Sequence, residues 1–251
     1  MEIYAERKFE HVISLGYFCT IAMEMQRYGL RDSSMPFDWL FDVDWTSIEE
    51  LWDNHFMQFL DRDLLYQEKG SSDHYWNVRY NIGFFHDFDG FQSLDAQLGK
   101  VQEKYNRRIE RFYKDIQEPT LFVRYIKNRE ELEYIEQNYD IVLSKLKSCN
   151  QENAILFISN DDLQSECLPL YTAEKDENDF CARKPTDKNA ELRTIFYKLN
   201  YDQSRRMINL KKYQAERKRR RGIWFRVQKR FKRYYKHYFV KYYIHDKIVK
   251  K

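Results

Sequence analysis

Three short apolar runs constrain the fold more than any other feature of the chain. His11-Val-Ile-Ser-Leu-Gly16, Thr120-Leu-Phe-Val-Arg-Tyr125 and Ala154-Ile-Leu-Phe-Ile-Ser159 are rich in β-branched and aromatic residues, the pattern of buried strands. After the first, Phe18, Ile21, Ala22, Met25 and Tyr28 recur at helical spacing over Tyr17 to Tyr28. Arg129 to Cys149, between the other two, reads as a helix. Strand–helix–strand over 120–159 predicts a parallel crossover.

The rest fills in around these runs. Trp45 to Phe59 predicts a helix capped by Asp44, with His55 on its inner face. Ser93 to Ile116 predicts a long charged helix. Within it Tyr105, Ile109 and Phe112 share one face, opposite a set of Lys and Arg that reads as a solvated surface. Within residues 64–89, Asp73 to His86 carry aromatic and β-branched residues between turn signals, so one hairpin or two strands are expected there. Glu166 to Asn189 reads as a loop with little order, and Leu192 to Leu199 as a last strand. The expected class is α/β (or α+β), one domain over residues 1–210, with a helical tail over 211–251. Only 7 Gly and 4 Pro in 251 residues argue against a loop-rich all-β fold.

Composition narrows the setting. The N-terminus has early acids and no apolar stretch of signal-peptide length. No window approaches the 18 apolar residues of a membrane span. The cysteines Cys19, Cys149, Cys167 and Cys181 form no CxxC pair, so neither a zinc nor a thioredoxin-type site is expected. Reduced thiols and a cytoplasmic location follow. No GxGxxG or Walker pattern occurs, and no cofactor is expected.

The net charge of +3 hides an asymmetry. Residues 211–251 hold 17 Lys or Arg against Glu216 and Asp246, a balance of +15; the remaining residues hold 26 basic against 38 acidic, a balance of −12. In the tail Trp224, Val227, Phe231, Tyr234, Tyr238 and Tyr242 recur every three or four residues among the bases. Basic and aromatic faces on one helix suit an anionic membrane surface, each base contributing on the order of 1 kcal/mol near it. The inner face of the plasma membrane is the expected surface. Docking on the acidic body or a protein partner ranks second, and single-stranded nucleic acid last.

Chemistry centres on Cys19. It follows a strand, a Gly and two aromatics, near the start of a predicted helix, where amide groups and the helix dipole favour a thiolate. A buried, inert cysteine is the bland alternative. A base is needed, most often His. His11 and His55 read as packing residues, and His237 and His245 belong to the tail, which leaves His74 and His86. His86 closes an apolar approach, Gly83-Phe-Phe-His86, as a strand-end catalytic His would. A third group would orient it: Asp38, Asn160 and Asp161 are candidates, and Asp38 is equally suited to a turn. Arg124 inside an apolar strand needs a partner, either Asp38 or a substrate carboxylate. Asp87-Phe-Asp89 resembles a short acidic pair that holds a divalent cation under a nucleotide sugar, which opens a glycosyltransferase reading.

Five blocks occur in a telling order: Ile13-Ser-Leu-Gly-Tyr-Phe-Cys19, Ser34-Met-Pro-Phe-Asp-Trp-Leu40, Phe85-His-Asp-Phe88, Lys104-Tyr-Asn-Arg-Arg-Ile-Glu-Arg-Phe112 and Leu121-Phe-Val-Arg124. Over residues 8–160 the chain resembles a bacterial domain of unknown function described as a putative papain-like cysteine peptidase. The resemblance implies a papain-like, three-layer domain. It implies Cys19 as nucleophile and His86 as base, with the order Cys19, His86, Asn160 matching a papain-like triad. The expected activity is a cysteine hydrolase or acyltransferase on a small-molecule or peptide substrate. The alternatives are a glycosyltransferase or accessory factor in cell-surface polysaccharide assembly, and a catalytically inactive, membrane-docked binding module.

Overall fold

The computed structural model describes residue 4, residues 6–177 and residues 179–221. The backbone divides into two units, Met1–Asn209 and Leu210–Lys251. The aromatic stripe from Trp224 to Tyr242 lies outside the described residues.

In chain order the elements are β1 (His11–Ser14), α1 (Thr20–Arg27), β2 (Leu40–Phe41), α2 (Trp45–Asp53), β3 (Leu65–Gln67), β4 (Tyr75–Asn77), β5 (Ile82–Phe84) and α3 (Leu94–Asp115). They continue with β6 (Thr120–Tyr125), α4 (Arg129–Gln137), α5 (Tyr139–Cys149), β7 (Ala154–Ser159), β8 (Leu170–Thr172), α6 (Pro185–Lys188), α7 (Ala190–Lys198) and α8 (Gln203–Arg221). The fold is α/β, with one parallel and one antiparallel sheet. The parallel sheet has the order β1-β6-β7-β8, and the antiparallel sheet the order β2-β5-β4-β3.

Alternation along the three apolar runs explains the layering. Ile13, Phe122, Ile155 and Phe157 pack into a cluster with Trp45, Ile48 and Leu51 of α2, Tyr105 and Phe112 of α3, and Val142 and Leu146 of α5. Val12, Leu121, Val123, Leu156 and Ile158 point the other way, onto Ile21 and Met25 of α1 and Leu192, Ile195 and Phe196 of α7. A sheet covered on both faces needs strands apolar at nearly every position, and β6 is buried at all six. The crossover expected over 120–159 is present as β6 and β7 in parallel register, Leu121 opposite Ala154 and Tyr125 opposite Ile158.

Four expectations need correction. Residues 192–199 are not a strand: α7 runs Ala190–Lys198, capped by the Asn189 side chain on the Leu192 amide. Leu192, Ile195, Phe196 and Leu199 then fall on one helical face, buried against the sheet. Residues 129–149 form two helices, divided at Asn138, whose side chain bonds the Tyr134 carbonyl. α2 stops at Asp53, after which His55, Phe56 and Gln58 take left-handed φ values of 57°, 58° and 59°. Asn77 and Tyr80 donate to the freed carbonyls of Met57, Gln58 and Phe59. His55 is consequently exposed, stacked on Tyr113 at 4.9 Å rather than packed inside. Residues 166–189 hold β8 and α6 and are more ordered than expected.

Arg124 pairs with neither partner expected for it. Fully buried, its guanidinium bonds Glu131 and donates to the carbonyls of Leu15 at 2.9 Å and Val43 at 2.7 Å. A buried cation needs both charge and hydrogen-bond satisfaction. This one uses it to fasten the end of β1 and the approach to α2 onto α4.

In the second unit, α8 continues through Lys211 to Arg221. Among the described residues no helix is long and apolar enough to cross a membrane.

Candidate active site

The turn after β1 places Cys19. Gly16 and Tyr17 both take left-handed φ, 78° and 76°. At Gly16 a Cβ would lie 2.9 Å from the Phe37 carbonyl oxygen and 3.1 Å from Val43 Cγ1, so only glycine fits. Tyr17 carries the strain that a side chain meets in this region. Its carbonyl accepts from the Asp42 amide at 3.0 Å, and its ring is held by Phe18, Tyr125 and Phe180 at 5.1, 6.1 and 5.9 Å. Two left-handed residues in succession swing the chain out of the sheet and bring Cys19 to the N-cap of α1.

Cys19 caps α1 without a side-chain hydrogen bond. The amides of a first helical turn have no intrahelical acceptor, so they remain available at the positive end of the helix dipole.

Four segments enclose a cleft of about 190 Å³ around this point. Phe18, Cys19, Thr20 and Met23 come from the start of α1; Trp39, Leu40 and Phe41 from β2 and its approach; Phe85 and His86 from the exit of β5; and Asp179, Phe180, Cys181 and Arg183 from the loop before α6. Cys19 and His86 thus line one cleft. His86 is exposed, its ring perpendicular to Trp39 with centroids 6.2 Å apart.

The electrostatics differ from the sequence expectation of a stabilised thiolate. Burial pushes the Cys19 thiol up from its ordinary range, opposed by its own backbone N–H and by Arg183. Cys181 is pushed up to about 12 by burial and by Asp179. Arg183 is itself paired with Asp179.

None of the three candidates for the third group, Asp38, Asn160 and Asp161, lines the cleft. Asp38 is buried, and its Oδ2 accepts from Arg31 Nε and Nη2 at 2.9 and 2.6 Å and from the Met35 amide at 2.8 Å. Burial pushes this carboxyl up, and Arg31 and the Met35 amide oppose it. Asn160 is buried after β7 and accepts from the Tyr125 hydroxyl at 2.6 Å. That hydroxyl also accepts from the Ala182 amide at 3.4 Å, steadying the loop that carries Cys181 and Arg183. His74 stacks on Phe85 at 4.1 Å and bonds Glu68 at 2.7 Å. His11 opens β1 and sits between Asp115 and Glu118. The acidic pair does not converge: Asp87 is taken by Lys104 at 2.5 Å and Tyr105 at 2.9 Å, while Asp89 is exposed. Among the described residues no three His, Cys, Asp or Glu side chains gather as a metal site.

Sequence reasoning missed Trp39, Phe41 and the whole 179–183 wall. Trp39 stood inside a recognised block. Phe180-Cys181-Ala182 is a small apolar island in a polar stretch, the one local signal that this loop turns inward.

The five sequence blocks interlock in space. The Phe37 carbonyl closes on Gly16, the Phe37 ring packs on Phe112 at 5.8 Å, and Arg111 donates to the Ser34 carbonyl at 2.8 Å. Asp87 meets Lys104 and Tyr105, and Arg124 meets the Leu15 carbonyl. The family whose description reads "Putative papain-like cysteine peptidase (DUF1796)" matches residues 10–162. The chain belongs to this family. The family's region spans β1 through β7, and so carries Cys19, His86 and the interlocking blocks; the 179–183 wall lies beyond it. A relative, "Uncharacterized protein R408" of Acanthamoeba polyphaga mimivirus, is 32% identical over 176 residues, 61% of this chain and 79% of the relative. That relative is viral, whereas the resemblance in the sequence had implied a bacterial source. No solved structure matches the chain.

Proposed function

We propose that the domain over residues 1–210 is a cysteine hydrolase, or an acyltransferase of the same chemistry, with Cys19 as nucleophile and His86 as proton carrier. One observation carries this reading: separate segments bring Cys19, at an uncapped helix start, and His86 to the same cleft. Membership of a cysteine-peptidase-like family supports it.

Burial favours the neutral form of the Cys19 thiol. Proton transfer from Cys19 to His86 then accompanies attack rather than preceding it. The sulfur–carbon bond forms and the carbonyl π pair moves to oxygen, where the open amides of the first turn of α1 receive it. The bond to the leaving group breaks, and His86 returns the proton to that group. Water, or an acceptor nucleophile in an acyltransferase, then attacks the thioester with His86 as base, releasing Cys19.

Alkylation tests this. Iodoacetamide is expected to modify Cys19 faster near neutral pH than Cys149, Cys167 or Cys181, and His86→Ala to remove the advantage. A Cys19 no faster than the other three sinks the reading in favour of a binding module without chemistry. The raised Cys19 thiol is the observation that favours that second reading. The glycosyltransferase alternative requires Asp87 to leave Lys104 and Tyr105.

The basic tail, residues 211–251, serves in this proposal to hold the domain on an anionic membrane surface. Co-sedimentation with anionic vesicles, lost on deleting 211–251 and absent with neutral vesicles, is the expected result. Equal sedimentation with both vesicle types refutes the docking.

A further inference from the structure

We infer that the cleft takes an uncharged group the size of one aromatic ring, so that compounds offered to Cys19 carry a phenyl-sized or similarly compact apolar group beside the reacting carbonyl. This rests on Cys19 as the nucleophile and names the substrate class for it.

Volume sets the size. The cleft holds about 190 Å³. An apolar protein cavity of about 150 Å³ accommodates benzene, so there is room for one ring and the atoms joining it to a carbonyl. A nucleotide sugar or several peptide residues would not be enclosed.

The walls set the polarity. Phe18, Met23, Trp39, Phe41, Phe85 and Phe180 are the large apolar side chains of the lining, beside Leu40. Aromatic walls favour an entering ring in edge-to-face or offset contact, and these rings already adopt such geometries, Phe41 with Phe180 at 85° and Phe18 with Phe180 at 72°. At the edge, Met23 and Phe180 are 49% and 46% exposed. A bound ring would remove such apolar surface from water.

The charges at the cleft already have partners. Asp179 and Arg183 are the lining residues with a formal charge, and they pair with each other. A phosphate or carboxylate entering here would compete with Asp179 for Arg183.

Substituted iodoacetamides test the class without a known substrate. Each reacts by the same step: the Cys19 sulfur bonds the methylene carbon, the carbon–iodine bond breaks and iodide leaves. The full chain is treated with iodoacetamide, N-benzyliodoacetamide and iodoacetate, and rates at Cys19 are read by peptide mass spectrometry, normalised to the exposed Cys167 in the same sample. The benzyl reagent is expected to be favoured at Cys19 by about tenfold or more, the discrimination that an apolar pocket gives, with no such gain for iodoacetate. Met23→Gln and Phe180→Ser, each checked by thermal unfolding, are expected to reduce the gain severalfold. A benzyl preference no greater at Cys19 than at Cys167 overturns the inference. So does a preference that survives both substitutions, and so does a preference for iodoacetate. His86→Ala separates the two ideas. If it leaves every Cys19 rate unchanged while the benzyl preference persists, the catalytic reading fails and the substrate class stands. If it slows Cys19 while no benzyl preference exists, the reverse holds.

Discussion

Arg31 lies over the ring of Trp39, its guanidinium carbon 5.2 Å from the ring centroid, while the same guanidinium holds Asp38 through two nitrogens. Trp39 in turn stands edge-on to His86. Asp38 thus reaches the cleft through Arg31 and Trp39. Its other oxygen, Oδ1, is buried without a hydrogen-bond partner, so losing Arg31 strands a buried carboxylate. Arg31→Met is expected to destabilise the domain by about 3–5 kcal/mol in urea unfolding, the range for breaking a buried pair. Adding Asp38→Asn to Arg31→Met should recover much of the loss, because the stranded charge is gone. A double variant as unstable as the sum of the singles would show that the two groups are not coupled.

Gly16 offers a backbone test of the site. Gly16→Ala places a methyl 2.9 Å from the Phe37 oxygen at a φ of 78°. A cost of about 1–3 kcal/mol is expected from strain at such a position. Relief of the clash requires the Phe37 segment or the turn to move, and Cys19 lies three residues on. Alkylation of Cys19 under native conditions should change with the substitution, while that of Cys167 should not. Unchanged stability would contradict the close approach.

Glu24 gives the pH dependence a direction. The carboxylate lies against α6, receiving the Thr186 hydroxyl and amide and Arg27 at 3.0 Å. Burial nevertheless raises its carboxyl above the ordinary glutamate value. The folded domain keeps this proton at pH values where the unfolded chain has released it. The contribution is therefore complete in acid and fades as pH rises through the raised folded value. Glu24→Gln is neutral throughout and keeps the shape. At pH 8 it is expected to melt above the parent. That gap should shrink towards pH 4. A gap that widens in acid would reverse the sign.

Arg183 lowers the Cys19 thiol against the effect of burial. Removing the cation leaves burial less opposed, so Arg183→Met should slow Cys19 alkylation at pH 7–8. The expected factor is about two to five, the scale of an exposed charge interaction. It should diminish at high salt. A faster reaction would mean that the Arg183–Asp179 pair obstructs the cleft rather than polarising it.

The strands of the parallel sheet were legible because each is a short apolar run that must be covered on both faces. Cys19 and His86 were legible as residue types at strand and helix ends. Leu192 to Leu199 was not, since periodicity cannot separate a short apolar strand from a helix, and the Asn189 cap decided it. Arg124 announced that a buried partner must exist, but Glu131 was chosen by the fold, seven residues on across the β6–α4 turn. Asp38 was noticed as a carboxylate near the right block; only the folded chain turned it to Arg31.

The amino-acid sequence by itself determined the three long strands of the parallel sheet, the glycine at the turn before Cys19, and the charge contrast between body and tail. These are local properties, set by periodicity, backbone conformation and composition. Tertiary structure decided which residues share a cleft. The distance from Cys19 to His86 and on to Phe180 along the chain exceeds any local signal, and closure depends on buried pairs such as Glu24–Thr186 and Tyr125–Asn160. Desolvation likewise exists only after packing, which is why a helix start that favours a thiolate in isolation holds a neutral thiol here.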